Sequence, residues 1–259
     1  MVIDCHAHYP KNDAQFPERL VELLPQAGID RICLFSAGEA FEHAPNATIL
    51  EAARKYPDHI IAFALIELGK DTPEQVDACA RQGFRGFKIT NPRSAYDDEA
   101  HFPLYERMEK SGLPLLAHTG ILMRIPQAPG VRVNSNWMRP ICLDPVLRSF
   151  PRLNIIGAHL GVPWHDEASA MARLHPNYYV DLTGACWGGW RANKNADFFR
   201  YHFFWENAWD KVLFGTDILA LDELIPSKQF HDRMIDQLNL PAETRRKIYG
   251  DTAARLLGL

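Results

Sequence analysis

The sequence predicts a single α/β domain, a (β/α)₈ TIM barrel spanning residues 1–259. Three observations carry that reading. Eight short apolar runs of strand length follow one another along the chain. Stretches with helical periodicity separate them. The length, 259 residues, is ordinary for one such barrel, and no linker or composition break divides it.

The runs are residues 1–8 (MVIDCHAH), 30–37 (DRICLFSA), 59–67 (HIIAFALIE), 84–90 (FRGFKIT), 113–120 (LPLLAHTG), 153–161 (LNIIGAHLG), 178–184 (YYVDLTG) and 211–218 (KVLFGTDI). Most are rich in Ile, Leu, Val or Phe, as strands buried on both faces should be. Between the first two, FPERLVELLPQAG reads as a helix stopped by Gly28. TPEQVDACARQG opens with Thr72 as N-cap and Pro73 at the first helical position, and closes at Gly83. DDEAHFPLYERMEKSG carries Leu104, Tyr105 and Met108 at helical spacing, and HDEASAMARLHP sets Ala168, Met171 and Ala172 on one stripe. PAETRRKIYGDTAARLLGL forms a closing helix. Strands alternating with helices give a parallel sheet, and eight such units close most simply as a barrel. The alternative, an open doubly wound sheet, is weakened because no G-x-G-x-x-G follows the first strand.

Bulk composition narrows the function classes. The chain is 47% apolar and 23% charged with a net charge of -4, so no basic stripe calls for nucleic acid and no polybasic run for an anionic membrane. No apolar run is long enough to span a bilayer, and the first residues lack the features of a signal peptide. The five cysteines (Cys5, Cys33, Cys79, Cys142, Cys186) are scattered and never form C-x-x-C. They are expected to be reduced and mostly buried, in a cytoplasmic protein.

In a barrel the chemistry gathers where the strands end. Strand one ends in His6 and His8, strand four in Lys88, strand five in His118, strand six in His159 and strand eight in Asp217; strands two, three and seven end in nothing obviously chemical. Residues i and i+2 of a strand share a side, so His6 and His8 point together, and inward is the side with room for two polar rings. The same parity expects Ala7 and Cys5 to face the helices and Asp4 to lie one layer deeper as a support. An H-x-H alone carries little weight among eleven histidines, but a constellation on four strand ends does. Neutral imidazoles with a carboxylate suit one divalent cation, Zn²⁺ first, with Mn²⁺ or Fe²⁺ as alternatives. His159 is either a further ligand or the base that deprotonates water, and Asp217 serves as ligand and as proton acceptor. A closed structural zinc in a binding protein is the poorer reading, because an open position remains.

Taken together, IDCHAH, GFRGFKI, LLAHTG, PRLNIIGAHLG, VLFGTDI and IYGDTAARLLGL resemble the amidohydrolase superfamily. They are most similar to its amidohydrolase family 2 branch, with the decarboxylases resembling aminocarboxymuconate-semialdehyde decarboxylase and resorcylate decarboxylase. The resemblance implies His6, His8, His118 and Asp217 as ligands of one divalent metal and His159 as the catalytic histidine. In binuclear relatives of the superfamily a carbamylated lysine on strand four bridges two metals; here a mononuclear site is expected, with Lys88 as a charge near the substrate. Such proteins include hydrolases, hydratases and non-oxidative decarboxylases, and some lactonases of the branch work without metal. The expectation is therefore a metal-dependent hydrolase in which activated water attacks a carbonyl carbon of a small substrate. A carboxy-lyase acting on an aromatic or muconic acid and a metal-independent lactonase are the alternatives.

The loops after the strands hold Trp137, Trp164, Trp187 and Trp190, which are candidates to line a substrate pocket, and Arg124, Arg132, Arg139 and Arg191, one of which could grip a carboxylate. Residues 196–209 (ADFFRYHFFWENAW) are too aromatic for one helix face. One side is expected to join the core and the other to meet a second subunit, with His202 structural.

Overall fold

The computed structural model describes residues 1–122, 132–184 and 189–259. Eight parallel strands follow in sequence order around the sheet: β1 (Ile3–His8), β2 (Arg31–Phe35), β3 (Ile60–Leu65), β4 (Gly86–Ile89), β5 (Leu115–Ala117), β6 (Ile155–Gly157), β7 (Tyr178–Asp181) and β8 (Val212–Leu213). Each occupies one of the eight apolar runs. The seam closes just past β8: the Cys5 N–H donates to the Phe214 carbonyl at 3.0 Å, His8 N–H to Ile218 at 3.1 Å and Asp217 N–H to His6 at 2.7 Å.

The helices pack outside. They are α1 (Phe16–Ala27), α2 (Asn46–Lys55), α3 (Pro73–Gln82), α4 (Phe102–Ser111), α5 (Asp144–Ser149), α6 (His165–Leu174), α7 (Ala196–His202), α8 (Leu224–Leu238), α9 (Ala242–Arg246) and α10 (Thr252–Leu257). Gly28 ends α1 in the left-handed region at φ 66°, as a C-terminal glycine does without steric cost. At the start of α3 the Gln75 side chain accepts from the Thr72 N–H at 2.7 Å. Leu104, Tyr105 and Met108 on α4, and Ala168, Met171 and Ala172 on α6, are the buried stripes. The closing segment is not one regular helix, since a π-helical turn, Lys247–Asp251, joins α9 to α10. In the aromatic stretch Phe199, His202 and Phe203 join the core while Tyr201 and Phe204 stay exposed. Among the described residues no helix is long and apolar enough to cross a membrane, and Cys5, Cys33, Cys79 and Cys142 are free thiols, the first two buried.

Two apolar compartments result. The larger lies between strands and helices. The smaller fills the barrel: Ile3, Cys5, Cys33, Phe35, Ile61, Phe63, Leu116, Ile156, Tyr179 and Leu213, sealed below by Ala253, Leu256 and Leu257 of α10. Cys5 in this inner group corrects the simple alternation. The register against β2 steps from Asp4↔Ile32 to Ala7↔Leu34, three residues against two, so β1 carries a bulge. The extra residue puts Cys5 in the barrel and Ala7 in the helix-facing layer. The Asp4 carboxylate supports the bulge from within, accepting from the N–H groups of His6 and Thr216, each at 3.0 Å.

Candidate active site

The bulge delivers His6 to the rim. Its Nδ1 lies 2.8 Å from Asp181 Oδ2 on β7, and its Nε2 3.2 Å from Asp217 Oδ1. His8 Nε2 is also 3.2 Å from that Asp217 oxygen, and His159 Nδ1 is 3.8 Å from Oδ2. His118, past the end of β5, packs its ring edge-on to His159 with centroids 5.0 Å apart. All six side chains are buried. One ligand atom from each of His6, His159 and Asp217 falls within 4.8 Å of the others, a group able to hold a cation.

The hydrogen bonding states what this group lacks. Burial and Lys88 push the His6 pKa down, but Asp217 and Asp181 outweigh them and raise it, so His6 Nε2, 3.2 Å from Asp217 Oδ1, sits where the carboxylates favour a positive charge, a place a divalent cation can take from the proton. His118 Nε2 is buried with no hydrogen-bond partner among the described residues. Burial pushes the pKa of His8 and His118 well down and that of His159 to about 4, so these rings are neutral near pH 7, the form a metal takes. Burial opposes the charge on Asp217 and Asp181, but His6, through its charge and its hydrogen bonds, outweighs it and holds both carboxyls below the usual range. The residues present fit a divalent cation.

Asp181 and Thr183 escaped the sequence reading, which found nothing chemical at strand seven. Asp181 Oδ2 serves His6, while Oδ1 accepts from the His159 N–H at 2.8 Å and the Thr183 hydroxyl at 2.6 Å. Because that hydroxyl gives its proton to Asp181, its lone pair accepts from His159 Nδ1–H at 2.8 Å, leaving Nε2 as the unprotonated nitrogen of His159. A carboxylate inside an otherwise apolar run was the available signal, since buried acids persist only with partners.

The backbone is forced at the same places. His159 and Asp217 have φ of 60° and 59°, a region non-glycine residues enter at a cost of about 1–3 kcal/mol, typically at functional sites. The amide of each is held, His159 by Asp181 and Asp217 by His6. Gly215 lets the rim close up: a Cβ there would lie 2.7 Å from Thr183 Cγ2 and 2.9 Å from His6 Cβ.

Above the cluster opens a cavity of about 280 Å³, bordered by His8, His118, His159, Asp217 and Lys88 on its polar side and by residues such as Leu122 and Trp190 on its apolar side. Lys88 is buried, and burial brings its pKa down to about 8. The other candidates for substrate contact are dispersed. Trp137 and Trp164 are half-buried and do not border the cavity; Trp164 carries the Arg139 guanidinium 5.2 Å over its ring, and Arg139 pairs with Glu167. Arg191 is buried behind the wall, donating to the Leu182 carbonyl at 2.7 Å and lying 5.0 Å over the Phe230 ring. Arg132 is exposed. Arg124 and Trp187 lie outside the described residues. Phe41 and His43, from the loop after β2, border the cavity without having been foreseen.

A family model described as amidohydrolase matches residues 3–259. Among solved structures the chain is similar to a TIM-barrel protein from Bordetella bronchiseptica (21% identity, TM-score 0.76, covering 99% of this chain and 98% of that one). It is also similar to a 2,6-dihydroxybenzoate decarboxylase (17%, 0.70, 100% and 99%) and to a probable 2-pyrone-4,6-dicarboxylic acid hydrolase from Acinetobacter baumannii (14%, 0.69, 100% and 99%). No curated protein matches.

Proposed function

This chain belongs to the amidohydrolase family, and from that premise we propose that it is a metal-dependent hydrolase acting on a small substrate. His6, His8, His118 and Asp217 would hold one divalent cation, Zn²⁺ by the chemistry of the donors. When bound, such a cation supplies Lewis acidity and lowers the pKa of a water toward about 7. His159 Nε2 takes the proton of the attacking water, because Thr183 keeps the ring's own proton on Nδ1. Asp217 orients that water and can share the proton. The cavity admits a substrate about the size of one ring, whose carbonyl carbon meets the water above Asp217.

The observation that carries this reading is the convergence of His6 Nε2 and His8 Nε2 on one Asp217 oxygen, each at 3.2 Å, with His118 Nε2 buried and without a hydrogen-bond partner among the described residues. A second reading, non-oxidative decarboxylation of an aromatic or muconic acid, is favoured by the cationic Lys88 and the Trp190 ring in one ring-sized cavity. Similarity to both a decarboxylase and a hydrolase supports each chemistry equally. The test is metal analysis of chelator-free protein, followed by parallel assay of lactones, esters and amides for hydrolysis and of aromatic and muconic acids for carbon dioxide release. His159→Asn should abolish turnover while keeping the cation; if the cation is lost with it, His159 is a ligand. Turnover of lactones by metal-free protein would replace this proposal with the metal-independent lactonase.

A further inference from the structure

Lys88 is 1% exposed, and its ammonium has no hydrogen bond or ion pair among the described residues. The undescribed stretches contain no Asp or Glu that could supply a counter-charge. What the ammonium does meet is the Phe35 ring, 4.7 Å from its centroid. A cation–π contact is worth about 0.5–2 kcal/mol and does not replace a counter-ion in a buried site. His6 and His8 pack on the same Phe35 ring, at 5.1 and 4.8 Å, and His43 stacks on His8 at 4.6 Å. Phe35 thus gathers the lysine and the histidine pair on one wall.

The role of His43 follows from a backbone bond. The Ala37 N–H donates to His43 Nδ1 at 3.0 Å, so that nitrogen carries no proton. The proton of the neutral ring sits on Nε2, which is a fixed N–H donor on a residue bordering the cavity. Thr90, two residues beyond Lys88 and on the same side of the chain, borders it too. The cavity also has an apolar lining, with Ile121, Leu122, Val162 and Leu219.

We propose that Lys88 and His43 form a carboxylate-binding cradle, which orients an organic acid with its anionic group on Lys88 and His43 and its apolar body against the apolar lining of the cavity. The cradle rests on the reading of this cavity as the substrate site, and it assigns Lys88 as a free ammonium, not a carbamylated metal ligand. The carboxylate held there is the one that fixes the substrate, and the reacting carbon lies beyond it, toward Asp217 and His159.

Calorimetric titration of the full chain with benzoate, and with the uncharged benzamide of the same shape, tests this in both metal-free and metal-loaded protein. Benzoate is expected to bind more tightly than benzamide in both states. Lys88→Met should weaken benzoate roughly tenfold or more and leave benzamide unchanged, the loss expected for one charged hydrogen bond. Lys88→Gln serves as the second variant if Met disturbs folding. His43→Phe, which keeps the ring stack on His8, should weaken benzoate several-fold. Equal binding of benzoate and benzamide, an unchanged benzoate affinity in both Lys88 variants, or a carbon dioxide adduct on Lys88 by mass spectrometry and ¹³C NMR would each overturn the cradle. If the native protein takes up no divalent cation while the benzoate preference holds, the metal-dependent hydrolase reading falls and the cradle stands; bound metal without the preference would do the reverse.

Discussion

The two ends of the barrel interior are built from the same strands and have opposite chemistry. The lower end is closed by Ile3, Cys33, Ile61, Leu116, Ile156 and Leu213 against α10. At the rim the same strands, or the residues just past them, present His6, His8, Lys88, His118, His159, Asp181 and Asp217, all buried and ionisable. The lower end stabilises, each full side chain contributing about 1.5–3 kcal/mol by leaving water. The rim concentrates costs: desolvated charges, two residues at positive φ and a lysine with no hydrogen bond or ion pair among the described residues. Such costs persist where a bound ligand or cation offsets them.

The contrast breaks most directly at the ligands. His6→Ala should empty the proposed metal site and bring turnover to background; full metal content in that variant would contradict the assignment. At the opposite end, Ile156→Ala should cost about 2–5 kcal/mol in denaturant unfolding while leaving metal stoichiometry unchanged. If it altered metal content instead, the two ends would not be separable. Asp181→Asn attacks the support of the rim. It should lower metal affinity by roughly tenfold to a hundredfold in chelator competition, the usual effect of losing a carboxylate behind a ligating histidine. Thr183→Val should cut turnover about tenfold and keep the metal, because it frees the His159 tautomer without touching a proposed ligand; Thr183→Ser, which retains the hydroxyl, should restore most of it. Smallest, Lys88→Met should raise thermal stability, by about 1 kcal/mol, by removing a buried charge that the fold itself does not pair. A fall in stability would show that Lys88 has a structural partner.

The residues that were legible beforehand share one property: their signal is local. Apolar runs of strand length marked all eight strands, and Gly28, Thr72 and Gly83 marked helix ends. His6, His8, His118, His159 and Asp217 stand out because polar residues at the ends of apolar runs are conspicuous. Asp181 occupied an equivalent place and passed unnoticed, since its meaning depends on meeting His6, 175 residues away. His43 lies in a loop with no periodicity to read. Arg191 reads as a candidate to grip a carboxylate, whereas the fold buries it behind the cavity wall.

By itself, then, the sequence determined the element order, the parallel barrel and the set of ionisable groups at its rim, because hydrophobic period and chain punctuation act over a few residues. Tertiary structure alone decided which groups meet. The bulge in β1 shifts Cys5 into the barrel and His6 to the rim, and it is defined only against β2. The pairing of Asp181 with both His6 and the His159 N–H, and the seat of Lys88 on Phe35, are contacts between different strands. Side-chain distance, tautomer and desolvation are properties of those contacts, so they exist only once the cylinder has closed.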